Sequence, residues 1–225
     1  MARQARIVLP NTPHHITQRG NRGDFIFFEK ADYTTYLEIL TEQCRRFGIS
    51  IYSYCLLPNQ AHFIAEPREA AQLSRAVGEA HRHYTNIINK RNNWSGHLFQ
   101  NRYFSYAMDE QYLLRAARYI ETLPVTLKLT PKPEKYLWSS AKSRIKINEE
   151  NSFIRPFNSF HTIDNWEEFL SRPMNESEIN VIQLHLQTGR PRGSNLFLDG
   201  IEKKIGRPVR PQKRGRKPKN KTQAA

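Results

Sequence analysis

Two periodicities alternate along the first 125 residues, and the switches between them mark the elements. Residues 13–19 (Pro-His-His-Ile-Thr-Gln-Arg) predict a short strand, closed by the turn signal Gly20-Asn21-Arg22-Gly23. From Ala31 to Phe47 the apolar positions Tyr33, Leu37, Leu40, Cys44 and Phe47 recur in steps of four and three, which predicts a helix stopped by Gly48. Ile51 to Leu57 is rich in β-forming residues, Pro58-Asn59 is a turn, and Gln60 to Glu66 returns as the second strand of a hairpin. A second amphipathic helix spans Ala70 to Lys90, with Leu73, Ala76, Val77, Ala80, Tyr84, Ile87 and Ile88 on one face, before Asn92-Asn93-Trp94-Ser95-Gly96 breaks it. Tyr103 to Met108 predicts a fourth strand. Asp109 caps a third helix, expected to end at Leu123 because Pro124 follows.

The order β-α-β-β-α-β, followed by a helix, is the split βαβ, ferredoxin-like pattern. The expectation is an α+β domain over residues 1–145, with helices on one face of an antiparallel sheet and the other face open to a ligand. Beyond it, Ile163–Leu170, Glu176–Gln187 and Asn195–Lys204 predict a small helical region over residues 146–205. The last two flank Thr188-Gly189-Arg190, a loose match to a helix-turn-helix.

Charge changes the picture at the end of the chain. Of 35 Lys and Arg against 21 Asp and Glu, ten basic and no acidic residues fall between Lys203 and Ala225. Gly and Pro interleave with them in Gly206-Arg207-Pro208 and Lys213-Arg214-Gly215-Arg216-Lys217-Pro218, which disfavours a helix. Residues 206–225 are therefore expected to be a basic, disordered, flexible tail suited to a phosphate backbone or to the minor groove of A·T-rich duplex, and the Gly-Arg-Lys-Pro run resembles an AT-hook. No apolar run approaches the roughly 18 residues of a membrane span, and two cysteines are too few for a disulfide scaffold or a four-thiolate zinc site. A soluble cytoplasmic, nucleoid-associated protein is expected.

The candidate chemistry sits on the hairpin and the third helix. Strand alternation places Gln60, His62 and Ile64 on one face, and Ala61, Phe63 and Ala65 on the other. Likewise only one of His14 and His15 can meet the open sheet surface, and neither is assigned to metal. On the third helix the apolar stripe is Leu113, Ala116, Ala117 and Ile120, with Tyr119 roughly 110° from its centre, able to face across the sheet. A tyrosine can attack phosphate if a divalent cation neutralises the oxygens and its proton is removed.

Five blocks then occur in order: Pro13-His14-His15-Ile16-Thr17-Gln18-Arg19-Gly20-Asn21, Leu57-Pro58-Asn59-Gln60-Ala61-His62-Phe63, Leu98-Phe99-Gln100-Asn101-Arg102-Tyr103, Arg118-Tyr119-Ile120-Glu121 with Pro124-Val125, and Trp138-Ser139-Ser140. Together they resemble the HUH-type single-tyrosine transposases, specifically the insertion-sequence-200-like group with the REP-associated tyrosine transposases, over about residues 5–145. The resemblance implies a DNA-binding protein of transposition acting on hairpin or single-stranded DNA. Its nucleophile would be Tyr119, leaving a 5′-phosphotyrosine and a free 3′-OH, and Mg²⁺ or Mn²⁺ would be held by His62 and a second group at position 60. By analogy, Arg19, Asn21, Arg22, Gln100, Asn101 and Arg102 are expected to touch DNA, joined by Arg207, Arg210, Arg214, Arg216 and Lys217 of the basic ending. A monomer or a homodimer fits the group.

The sequence departs from the group's pattern where metal would bind. Position 60 is Gln60, an amide that can ligate a hard cation, in place of the first histidine. Position 123 is Leu123 in place of Asn, and Thr126 stands where a basic residue is expected. Either a metal-dependent enzyme or a catalytically decayed hairpin-binding protein, with no metal, is compatible with these residues. A third reading, an RNA-binding ferredoxin-like domain, would use Tyr52 and Tyr54 as paired stacking aromatics on one strand face.

Overall fold

The computed structural model describes residues 5–145 and 151–211. The elements follow in the order β1 (His14–Arg19), α1 (Lys30–Arg46), β2 (Ile49–Leu57), β3 (Gln60–Pro67), α2 (Ala70–Asn92), β4 (Phe104–Ala107), α3 (Glu110–Thr126), α4 (Ala141–Ile145), α5 (Trp166–Ser171), α6 (Glu176–Thr188) and α7 (Asn195–Ile205). The four strands form one antiparallel sheet in the order β2-β3-β1-β4, the order of a split βαβ fold. Among the described residues no helix is long and apolar enough to cross a membrane.

Alternation along the strands sorts the side chains onto two packed faces. Ile16, Ala61, Phe63 and Ala65 point into a core with Tyr36, Leu37 and Leu40 of α1 and Leu73, Val77 and Tyr84 of α2. The opposite face is not open, which corrects the expectation of helices on one face only. Ile64, Cys55 and Leu57 are covered there by Leu113, Ala116 and Ile120 of α3, and by Trp166, Leu170, Ile182 and Leu186 of the later helices. The apolar stripe of α3 needs a hydrophobic partner, and the second sheet face is the surface that supplies it.

A bulge between Ile51 and Ser53 interrupts the β2–β3 register. The extra residue changes which side chain faces which side. Tyr52 therefore belongs to the α3 core and Tyr54 to the α1/α2 core, both buried. They share no face and offer no stacking platform, so the RNA-binding reading loses the feature it required.

Three further expectations are revised. Helix α3 runs through Pro124 to Thr126; in a last turn the imino residue forfeits only its own amide bond, and Leu127 N–H still reaches the Leu123 carbonyl at 2.9 Å. Helices α6 and α7 bury their apolar faces in different clusters, Ile182 and Leu186 against α3, and Ile201 with Leu9, Ala107 and Val209, so they do not pack on each other as a helix-turn-helix would. The ending expected to be flexible from residue 206 is packed through Arg210. Val209 is buried there, and Arg210 pairs with Asp199 at 2.7 Å and Glu202 at 3.0 Å. Residues 212–225 lie outside the described residues.

Glu121 ties this architecture together. It is completely buried on α3; its Oε1 accepts from Ser53 Oγ (3.0 Å), Ser140 Oγ (2.6 Å) and Arg144 Nε (2.9 Å), and its Oε2 from Trp166 Nε1 (2.7 Å). One carboxylate thus joins α3 to the bulged strand β2, to the Trp138-Ser139-Ser140 segment and to α5. A buried charge whose partner is removed is left uncompensated, so Glu121→Ala is expected to lower the unfolding free energy by about 3–5 kcal/mol. Urea unfolding checks this, and a loss below about 1 kcal/mol would show that the network is not holding the helix.

Candidate functional site

The two strand residues that point under α3 beside β3 are His15 and Thr17. Register sets Thr17 opposite His62 and His15 opposite Ile64. The result is a buried cluster in which His15 Nε2 lies 3.2 Å from His62 Nδ1, and Thr17 Oγ1 lies 3.4 Å from His62 Nε2. Helix α3 lowers Tyr119 onto this pair, its ring centroid 6.2 Å from that of His62 and 5.9 Å from that of His15, and Tyr106 of β4 packs on His15 at 5.6 Å. Tyr119 is only 8% exposed. The phenol and the imidazole expected to meet thus share one patch.

Burial sets the electrostatics. His62 is pushed down to about 3, first by desolvation and then by the nearby Arg19 charge. His15 is held well below its ordinary value by burial and by His62. Both rings are therefore neutral at pH 7 and, because burial disfavours their charged forms, weak bases. Burial raises the Tyr119 phenol, while a hydrogen bond with Gln183 of α6 and the positive charge of Arg19 pull it down. The cluster thus sets two weakly basic imidazoles beside a phenol that burial keeps protonated.

The residues present do not fit a hard divalent cation. Both nitrogens of His62 are directed at neighbours, Thr17 and His15. Leu123 is buried within the α3 core and has no ligand atom. Gln60 lines a separate cleft. His15 Nδ1 is buried without a hydrogen-bond partner, but one orphaned imidazole nitrogen does not replace a missing oxygen set. Among the described residues no group of three His, Cys, Asp or Glu is placed to hold a metal.

The residues expected to touch DNA separate into groups. Arg19, Arg22, Gln60 and Gln100 line one cleft of about 480 Å³ together with Gly23 and Asn59, at the end of β1 and the start of β3. Arg19 is also the residue whose charge acts on both His62 and Tyr119, which connects this cleft to the tyrosine. Asn21 lines a neighbouring cleft on the other side of the same turn. Asn101 is exposed, and its carbonyl accepts from Gln18 Nε2 at 2.8 Å. Arg102, Arg207 and Arg210 converge with Arg6 and Arg190 on a third cleft of about 540 Å³ along edge strand β4. There Arg207 donates to the Ala5 carbonyl at 3.1 Å, and Arg210 is taken up by its two carboxylates. Arg214, Arg216 and Lys217 lie outside the described residues.

Sequence reasoning left His15 and Gln183 out of the site. The signal for His15 was its alternation with Ile16; once Ile16 is assigned to the core, His15 must face away from it. Gln183 carries no comparable signal, because nothing local says that α6 packs on β4 and β1 beside the tyrosine.

Residues 11–122 match the family model described as "Transposase IS200 like". A solved structure of a REP-associated tyrosine transposase bound to a REP hairpin is 16% identical, covers 71% of this chain and 96% of its own, and superposes with a TM-score of 0.56, which is a likeness of fold. A crystal structure from Deinococcus radiodurans R1, described by name as a transposase, is 19% identical over 54% of this chain and 97% of its own, at a TM-score of 0.37. Among curated proteins none matches. With the split βαβ sheet, the buried histidine under α3 and the matched segment in agreement, the chain belongs through residues 11–122 to the IS200-like transposase family.

Proposed function

We propose that this protein recognises hairpin or single-stranded DNA through the cleft of Arg19, Arg22, Gln60 and Gln100, and that its strand-cleaving apparatus is incomplete. The observation that carries the second half is Leu123: the position one turn after the tyrosine, where related sequences hold a metal ligand, is packed into the core. The first half is supported by the basic cleft beside Tyr119 and by the relative of the same fold, which holds a REP hairpin. Guanidinium groups in such a cleft pair with phosphate oxygens and fix the register of the strand, and the amides of Gln60 and Gln100 can bond base edges or the backbone. The third cleft, with Arg102 and Arg207, and the basic residues Arg214, Arg216 and Lys217 add sequence-independent attraction.

One observation favours a second reading, in which Tyr119 attacks a phosphodiester with metal assistance and leaves a 5′-phosphotyrosine. The phenol lies beside two imidazoles and within the field of Arg19. Against it stand the ligand positions, and the α6 contact that Gln183 makes with the phenol.

Binding is tested by salt dependence. Titrating a DNA hairpin at increasing salt should give a linear log–log slope, and Arg19→Ala/Arg22→Ala should flatten it by roughly 0.7–0.9 for each phosphate the variant no longer neutralises. A double variant with the unaltered slope would mean that the strand does not run through this cleft.

A further inference from the structure

The turn Gly20–Asp24 separates two clefts. Arg22 and Gly23 line the polar one described above, while Asn21 and Asp24 line the other, a cleft of about 380 Å³ whose walls are Phe25, Phe28 and Trp94. The turn is firmly built. Gly20 N–H donates to the Asn59 carbonyl and Asn21 N–H to the Leu98 carbonyl, both at 2.9 Å, and a Cβ on Gly20 would lie 1.9 Å from the Asp24 carbonyl oxygen. Arg22 itself sits in the left-handed region at φ 56°.

The aromatic walls are not explained by the fold. In the run Phe25-Ile26-Phe27-Phe28 the middle pair is buried in the α1/α2 core, whereas Phe25 is 59% and Phe28 42% exposed. Trp94, which follows the left-handed cap of α2 at Asn93, is 52% exposed and meets Phe28 edge to face at 5.4 Å. Three large aromatic rings clustered in solvent mark a binding surface. Around them stand Asn21, Asn89 and His97, which can bond the edges of a flat heterocycle, and a single carboxylate, Asp24, which can accept from an amino group. Aromatic faces with amide edges are the chemistry by which proteins hold unpaired bases.

We propose that Phe25, Phe28 and Trp94 form a stacking platform for unpaired bases of the DNA strand whose backbone occupies the adjoining Arg19–Gln100 cleft. The platform rests on the DNA-binding reading above and extends it: the ligand is single-stranded DNA flanking a hairpin, with its bases turned onto the rings. Continuity across the Gly20–Asp24 turn selects this occupant over a protein partner, since the guanidinium of Arg22 and the ring of Phe25 project from one short segment.

The experiment compares a blunt hairpin with the same hairpin carrying a single-stranded extension, titrated against the full chain, Trp94→Ala, Phe25→Ala and Trp94→Phe. Because these positions are exposed, the variants should melt at the temperature of the unaltered protein. Trp94→Ala and Phe25→Ala should each weaken binding of the extended hairpin by roughly 5- to 100-fold and leave the blunt hairpin unaffected, with Trp94→Phe close to normal. Equal affinity of all variants for the extended hairpin overturns the platform while leaving hairpin binding intact. Failure of the unaltered protein to bind either DNA overturns the DNA-binding reading, and the platform with it. A change from dimer to monomer in Trp94→Ala at unchanged DNA affinity would instead assign the patch to self-association and overturn the platform.

Discussion

Acidification from pH 7 to pH 5 should cost this protein several kcal/mol of unfolding free energy. His14, His15 and His62 are all buried and held neutral, His14 at about 4 and His62 at about 3 through desolvation, and His15 well below 6.5. For His14 the hydrogen bonds agree: its Nδ1–H donates to the Thr12 carbonyl at 2.7 Å, and its Nε2 accepts from Leu9 N–H at 3.2 Å, so a second ring proton would break the latter. In the unfolded chain each imidazole takes up a proton near pH 6.5. Between that pH and the depressed folded values the unfolded state binds more protons, so stability falls as pH drops through the window. His14 and His62 each contribute about 1.4 kcal/mol per pH unit, or about 2 kcal/mol each by pH 5, and His15 acts in the same direction. Urea unfolding at pH 7, 6 and 5 measures the slope, and His62→Asn should reduce it by about one proton's worth. Equal unfolding free energies at pH 7 and pH 5 would show that these imidazoles are not desolvated as described.

The same burial bears on chemistry. The His15–His62 pair, its basicity depressed by burial, is a poor acceptor for a phenol proton; it is turned inward and bonded to itself, and burial raises the Tyr119 phenol.

Much of this was legible in the sequence because local periodicity is a local property. The 3.6-residue stripes of α1, α2 and α3 and the alternation through Gln60–His62–Ile64 each depend on a few neighbouring residues, and the observed elements follow them closely. What escaped depends on tertiary arrangement. The stripe Leu113-Ala116-Ala117-Ile120 said that α3 is amphipathic but not which surface it covers, and so the second sheet face was expected to be open. The bulge at Ile51–Ser53 separated Tyr52 from Tyr54, against strict alternation. Arg210 read as a DNA contact within a cationic run, yet Asp199 and Glu202, from the preceding helix, occupy it. The Tyr119–His62 meeting was expected from family resemblance. Its third member, His15, became visible only through the β1–β3 register.

Whether the tyrosine still cuts DNA is decided by a covalent-adduct assay. A hairpin with a single-stranded flank, labelled at its 3′ end, is incubated with the full chain and Mn²⁺ and then resolved under denaturing conditions, with native binding of the same DNA as the control for recognition. A 5′-phosphotyrosine would carry the label with the protein. A parallel Gln60→His/Leu123→Asn variant, checked for folding because it places an amide in the α3 core, asks whether restoring the ligand positions restores the adduct. With Leu123 packed in the core and His62 engaged by His15 and Thr17, the unaltered protein should bind the DNA and yield no adduct above the Tyr119→Phe background. A Tyr119-dependent covalent product from the unaltered protein would contradict this.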